Sequence, residues 1–121
     1  MATEINPKFA IAYYNTGFLK AKLKDHKEAI IYFNKAISIN PNYKEFYNDR
    51  GLSKYNLKDY FGAIADFELS IKVSVDFADA YYNRGIAKYY LNDKNESLLD
   101  LKKAGELGYK IAYEKIKELY K

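Results

Sequence analysis

The sequence contains no cysteine and no tryptophan, only two prolines, one histidine and one methionine. Without cysteine there is no disulfide scaffold, no thiolate metal site and no thiol chemistry. A single histidine, His26, leaves a histidine metal site or a Ser–His pair without its second member. No apolar run approaches the ~20 residues that cross a bilayer. The first ten residues, MATEINPKFA, lack the basic start and apolar core of a signal peptide. These absences favour a cytoplasmic location and argue against a membrane partner. No glycine-rich phosphate loop is present, so neither enzyme activity, a cofactor nor a bound metal is expected.

What is present is half apolar, with 14 tyrosines in 121 residues, enough for one domain with a modest core. The net charge of +4 is unevenly placed. Residues 1–40 and 102–121 each carry six basic and three acidic side chains, whereas 41–101 carry eight basic against ten acidic. A nucleic-acid binder concentrates positive charge on its binding face; here the centre is slightly acidic, and no nucleic-acid partner is expected.

The chain writes nearly the same five residues three times, as YYNTG (Tyr13–Gly17), YNDRG (Tyr47–Gly51) and YYNRG (Tyr81–Gly85), at intervals of 34. Cutting at that period divides residues 1–121, read as one domain, into units at about 7–40, 41–74 and 75–108, with a tail at about 109–121. A period of this length marks stacked units, none of which buries its apolar face alone. Each unit splits into two helix-length segments at Lys24-Asp25, Lys58-Asp59 or Asn92-Asp93, where the aspartates are placed to cap the second helix. Asn40, Ser74 and Gly108 are stop residues, and Asn42 with Glu45 is placed to start the next helix. No strand signal appears.

A glycine inside a helix costs about 1 kcal/mol relative to alanine. Three at one phase, each followed 12 residues later by Ala29, Ala63 or Ser97, imply a close crossing of the two helices. Tyr13, Tyr47 and Tyr81 with Phe33, Phe67 and Leu101 are expected to fill the space around it. Arg50 and Asp66, and Arg84 and Asp100, stand 16 apart, while the first unit has Thr16 and Tyr32 there. The paired gain and loss predicts an interhelical ion pair in the second and third units only.

A 34-residue helix pair with an aromatic, a glycine four residues later, small residues in the second helix and a closing proline resembles the tetratricopeptide repeat. Tyrosine stands where the family usually has tryptophan. The closing proline is kept as Pro7 and Pro41 but becomes Val75 and Tyr109, and Ser97 and Gly105 make the third unit the least typical. The resemblance implies an all-α, right-handed superhelix (an α-solenoid) of three helix-turn-helix repeats. The tail resembles the family's capping helix, with Ile111, Ala112, Ile116 and Leu119 covering the last unit and Lys110, Lys115, Lys117 and Lys121 in water. INPKF (Ile5–Phe9) matches INPNY (Ile39–Tyr43), so residues 5–7 read either as the end of an earlier repeat or as a simple cap of the first helix.

Opposite the glycine face, the first helices carry a second set of tyrosines, aliphatics and amides. The resemblance implies that this face lines a concave groove for a peptide, through Tyr14, Asn15, Phe18, Asn48, Asp49, Leu52, Tyr55, Tyr82, Asn83, Ile86, Tyr89 and Tyr90. The alternative for Phe18, Leu52, Ile86, Tyr55 and Tyr89 is packing between adjacent first helices. Asn15, Asp49 and Asn83 are poor helix formers in mid-helix and suit hydrogen bonding to a peptide backbone. The family's clamp for a chaperone C-terminal carboxylate uses Lys, Asn and Arg. Its positions here hold Tyr14 and Phe18, then Asp49, then Asp79 and Asn83. A carboxylate ligand would meet aspartates, so the expected partner is a neutral, apolar or mildly basic peptide. The rival reading is a homo-oligomer assembled through the tyrosine-rich face. His26 is expected to be a partly exposed packing residue, Asp76 and Asp79 first-turn caps, and the lysines at 20, 22, 24 and 27 a solvated helix end.

Overall fold

The computed structural model describes residues 6–121. Within them are seven helices and no strand: α1 (Pro7–Lys22), α2 (His26–Ile39), α3 (Lys44–Asn56), α4 (Tyr60–Val73), α5 (Ala78–Tyr90), α6 (Lys94–Glu106) and α7 (Ile111–Leu119). The fold is an all-α helical repeat. Helices α1 and α2, α3 and α4, and α5 and α6 pack as pairs, each pair lies on the next, and α7 lies on α6.

The turn inside each pair follows from three non-glycine residues in the left-handed region: Lys24, Lys58 and Asn92, with φ of 65°, 69° and 66°. Behind them the amides of Asp25, Asp59 and Asp93 reach back to the carbonyls of Lys20, Lys54 and Lys88 at 2.8–2.9 Å. This 6→1 closure satisfies carbonyls that the helix end leaves free. The Asp25 and Asp59 side chains then cap α2 and α4 by accepting from the amides of Glu28 (3.4 Å) and Gly62 (3.0 Å). Asp93 occupies the same position, but its side chain makes no capping bond, which nothing in the structure explains.

Between pairs the helix restarts later than Asn42. The Asn40 side chain accepts the Asn42 amide at 3.0 Å in a short turn, and α3 begins at Lys44 with Tyr43 as its first flanking residue. Asn6 caps α1 by accepting from the Lys8 amide at 2.9 Å, with Pro7 in the first turn. Ile5, the other end of the INPKF match, lies outside the described residues.

The glycines do allow close crossing. A Cβ on Gly17 would stand 2.8 Å from the Phe33 ring and 3.1 Å from the Ala29 carbonyl; on Gly51, 2.6 Å from Phe67 and 3.2 Å from the Ala63 carbonyl. On Gly85 the nearest atoms, of Asp100, Leu101 and Ser97, lie at 3.1 Å. Phe33, Phe67 and Leu101 are thereby fully buried, each contributing about 1.5–3 kcal/mol of transfer free energy. The tyrosines that precede the glycines fasten the inter-pair turns: the Tyr47 hydroxyl donates to the Pro41 carbonyl (2.8 Å) and that of Tyr81 to Val75 (2.9 Å).

The ion pairs are present as the 16-residue spacing predicts. Arg50 donates through Nε and a terminal nitrogen to both oxygens of Asp66, at 2.9 and 2.6 Å, and Arg84 to Asp100 at 2.8 Å for each bond. Lys54 and Lys88 add a second cation at 3.2 and 3.1 Å. In the first pair Thr16 turns onto its own helix, bonding the Ala12 carbonyl, and Lys20 meets Glu28 at 3.1 Å.

Candidate functional site

The sequence places tyrosines, aliphatics and amides on the face of α1, α3 and α5 opposite the glycines, and the structure opens two cavities there. The first, about 270 Å³, is lined by Leu52 and Tyr55 from α3, Tyr82, Asn83, Ile86 and Tyr90 from α5, and Lys115, Glu118 and Leu119 from α7, with Phe67 at its base. The second, about 230 Å³, is lined by Phe18, Ala21 and Lys22 from α1, His26 and Phe33 from α2, and Asp49, Leu52, Ser53 and Asn56 from α3. Leu52 belongs to both, so the cavities adjoin across α3.

Eight of the twelve residues expected to line a groove thus reach one or both cavities. Tyr14 lines neither. Its ring stacks on Phe46 at 5.0 Å and packs on Phe33 at 5.8 Å, and its hydroxyl donates to Asp49. Asn15 is exposed and lines neither cavity. Asn48 is buried, and its side-chain oxygen accepts from the Asn83 amide at 3.0 Å, so Asn48 is already committed to the α3–α5 contact. Tyr89 packs edge-on against Tyr90 and Tyr120, at 5.8 and 5.7 Å, and lines neither cavity.

Lys115 departs from the expectation of a purely solvated lysine: it lines the first cavity and sits 3.4 Å from Glu118. The reason is a change of register. The α6–α7 turn closes through Gly108 at φ 107° rather than through an extended residue such as Asn40 or Ser74. Ala112 therefore takes the buried place of Ala80, 32 residues earlier instead of 34, and Lys115 and Glu118 stand where Asn83 and Ile86 stand on α5. The glycine in place of an asparagine–proline stop was the available signal. Ile111, expected to cover the last unit, is 58% exposed for the same reason, while Ala112 is buried and Leu119 half-buried.

The electrostatics differ between the cavities. Burial raises the Asp49 carboxyl above the usual carboxylate range; the Tyr14 hydroxyl that donates to it offsets part of this, and Glu45 and Asp79 push it further up. Burial, then the bond to Asp49, raise the Tyr14 phenol well above its ordinary value. Around the first cavity, burial and the neighbouring Tyr90 and Tyr60 push Tyr55 up to about 12. Burial also raises Tyr82, against the opposing charge of Lys115. Both phenols present hydroxyls that remain neutral donors at physiological pH. His26 is half-buried with Nδ1 3.4 Å from the Ser53 hydroxyl. Among the described residues, no three His, Cys, Asp or Glu side chains group as metal ligands, and no helix is long and apolar enough to cross a membrane.

Residues 10–43 match the family model described as the tetratricopeptide repeat. No curated protein matches the sequence significantly. Among solved structures, the chain is similar to the first TPR of Spaghetti (RPAP3) bound to the HSP90 peptide SRMEEVD, with a TM-score of 0.90 at 21% identity over 98% of this chain and 95% of that one. It is similar to the second TPR domain of human RPAP3 in complex with the HSP70 peptide SGPTIEEVD, with a TM-score of 0.89 at 22% identity over 96% and 99%. It also resembles the N-terminal domain of stress-induced protein-1 from C. elegans, at 0.84 and 23% over 98% and 100%.

Proposed function

We propose that this chain, which is a tetratricopeptide-repeat protein, is a non-catalytic interaction module that holds a short peptide along the face of α1, α3, α5 and α7. The observation that carries this reading is the pair of adjoining cavities meeting at Leu52. Each is the size of one or two side chains, and their floors are apolar. A ligand with two apolar anchors would fill both, while Asn83, Tyr82 and Tyr55 offer polar groups to its backbone. Micromolar affinity, about −8 kcal/mol, is an ordinary result for such a contact.

The ligand differs in charge from those of the structural neighbours. The peptides SRMEEVD and SGPTIEEVD are acidic at their C-terminal ends. Here the half-buried Asp49, with Glu45 and Asp79 nearby, would repel such an end, and Tyr14 and Phe18 replace cationic and amide clamp groups. A neutral or mildly basic peptide suits the α1–α3 half, and Lys115 with Glu118 forms a balanced rim at the other.

A peptide-display selection against the chain tests this. The selected sequences should be neutral or basic with two apolar anchors. Tyr82→Ala should weaken them at least tenfold, and Asp49→Asn should weaken the basic ones selectively. SRMEEVD binding at micromolar affinity would overturn the charge assignment. A concentration-dependent dimer in sedimentation, dissolved by Tyr82→Ala, would instead assign the tyrosine-rich face to self-assembly.

A further inference from the structure

Among the described residues, the two buried carboxylates are treated alike. Asp66 accepts a side-on guanidinium from Arg50 and has Lys54 at 3.2 Å. Asp100 has Arg84 in the same arrangement and Lys88 at 3.1 Å. Asp49, half-buried on α3, is the exception: no described lysine, arginine or histidine pairs with it. Its Oδ2 accepts the Tyr14 hydroxyl, and among the described residues no donor reaches Oδ1. The position does not require a charge, because Asn15 and Asn83 stand 34 residues to either side of it. Taking a carboxylate out of water without a cation is costly. A charge that the fold does not need and does not compensate points to a cation that arrives with the ligand.

The surroundings give that cation its shape. Asp49 lines the α1–α3 cavity of about 230 Å³, whose apolar walls are Phe18, Phe33 and Leu52. An apolar slot with a carboxylate on its wall fits a side chain that has a hydrocarbon stem and a charged, donating head. Each carboxylate oxygen has two acceptor sites, so Oδ2 can take a guanidinium N–H beside the Tyr14 hydroxyl while Oδ1 takes the other. Asp66 shows the same sharing, its Oδ2 meeting both Arg50 and Lys54. Lys22 and His26 stand on the same cavity wall and neither satisfies Asp49. The Lys22 ammonium lies over the Phe18 ring, 5.1 Å from its centre, and the His26 ring faces the Ser53 hydroxyl at 3.4 Å. Glu45 and Asp79 reinforce the negative field at Asp49.

We infer that the α1–α3 cavity is an arginine site: the bound peptide lays an arginine stem over Phe18, Leu52 and Phe33 and sets its guanidinium side-on against Asp49. This deepens the peptide-binding reading and rests on it. The anchor in this cavity is apolar along its stem and cationic at its tip, whereas the α3–α5–α7 cavity keeps a plain apolar anchor.

The test titrates isotope-labelled full chain with the N-acetyl methylamides of arginine, citrulline and norleucine. Citrulline keeps the shape of arginine without its charge, and norleucine keeps only the stem. The arginine amide should shift the backbone amides of Phe18, Asp49 and Leu52 and bind at least fivefold more tightly than citrulline. It should also move the titration of the Asp49 carboxyl, followed by its carbon chemical shift, to lower pH, because a nearby cation favours the ionised form. The groups that face this carboxyl are Tyr14 and Lys22 of α1, His26 of α2, Glu45 of α3 and Asp79 of α5. Asp49→Asn, the amide that the equivalent positions carry, should bring arginine down to the level of citrulline, with circular dichroism verifying the fold. Equal binding of arginine and citrulline, or an arginine preference that survives Asp49→Asn, would overturn the arginine site. Norleucine shifts at the two cavities would in that case still support the peptide face, whereas no shift at either cavity with any of the three would overturn both.

Discussion

The Arg50–Asp66 pair carries a prediction that can be worked through from its geometry. Asp66 is buried, its two oxygens accept two guanidinium bonds in the side-on arrangement, and Lys54 approaches at 3.2 Å. Removing one partner of a buried pair costs about 3–5 kcal/mol, because a charge is left without its counterpart. Two features lower the figure for Arg50→Ala: Lys54 remains beside the carboxylate, and the Arg50 side chain is 17% exposed. Its loss to the Asn34 side chain at 2.9 Å is an exposed contact and adds little. The expected destabilisation is about 2–3 kcal/mol, discounted from that range, or roughly 5–12 °C in Tm for a chain of this size. A double-mutant cycle with Asp66→Ala, measured by urea unfolding, isolates the pair. The coupling should exceed about 1.5 kcal/mol, as charge-assisted double bonds do. A coupling below about 0.5 kcal/mol, the level of an ordinary exposed pair, would refute the reasoning.

Two further predictions concern packing and pH. Gly51→Ala should destabilise by about 1–3 kcal/mol, as overpacking does, because its Cβ meets the buried Phe67 ring and a backbone carbonyl. Gly85→Ala should cost less, since its contacts begin at 3.1 Å, and Gly105→Ala should be nearly neutral because the Tyr113 ring it meets is 45% exposed and free to swing; thermal melts that reverse this order would count against the crossing geometry. Burial disfavours the charged form of Tyr55, so the folded state holds its proton to about pH 12 while the unfolded state releases it near 10. Stability is therefore intact below pH 10 and declines between 10 and 12, with Tyr14 and Tyr82 adding in the same direction. Tyr55→Phe should flatten that decline in alkaline unfolding curves; an unchanged slope would remove Tyr55 from the account.

Much of the fold was legible because a repeat states each structural requirement more than once. The glycines recur at one phase because the helices cross there, and Arg50 and Arg84 come and go with their aspartates because an unpaired buried charge is costly. The site was legible in part. The period puts Leu52, Tyr55, Tyr82, Ile86 and Tyr90 on one face, and only the resemblance makes that face a groove. Asn48 could not be judged this way, because the period says which face a residue takes and not whether a neighbour such as Asn83 already engages it. Lys115 and Glu118 escaped because Gly108 shortens the last step, so the 34-residue ruler points two positions away from them. The start of α3 at Lys44 rather than Asn42 has a similarly local cause, since the Asn40 side chain takes the amide on which a new cap would have acted.

The missing ion pair of the first unit has a dynamic consequence. In an array where each unit leans only on its neighbours, stability is a sum of local terms, and opening begins where that sum is smallest. Among the described residues, the α1–α2 pair has a neighbour on one side and no guanidinium clip between its helices, whereas α3–α4 is clipped and flanked on both sides. Amide protons should therefore exchange fastest in α1 and α2 and slowest in α3 and α4. Among the described helices, opening therefore starts at α1 and α2, and any molecule that lies against α1 would raise the barrier to that first step.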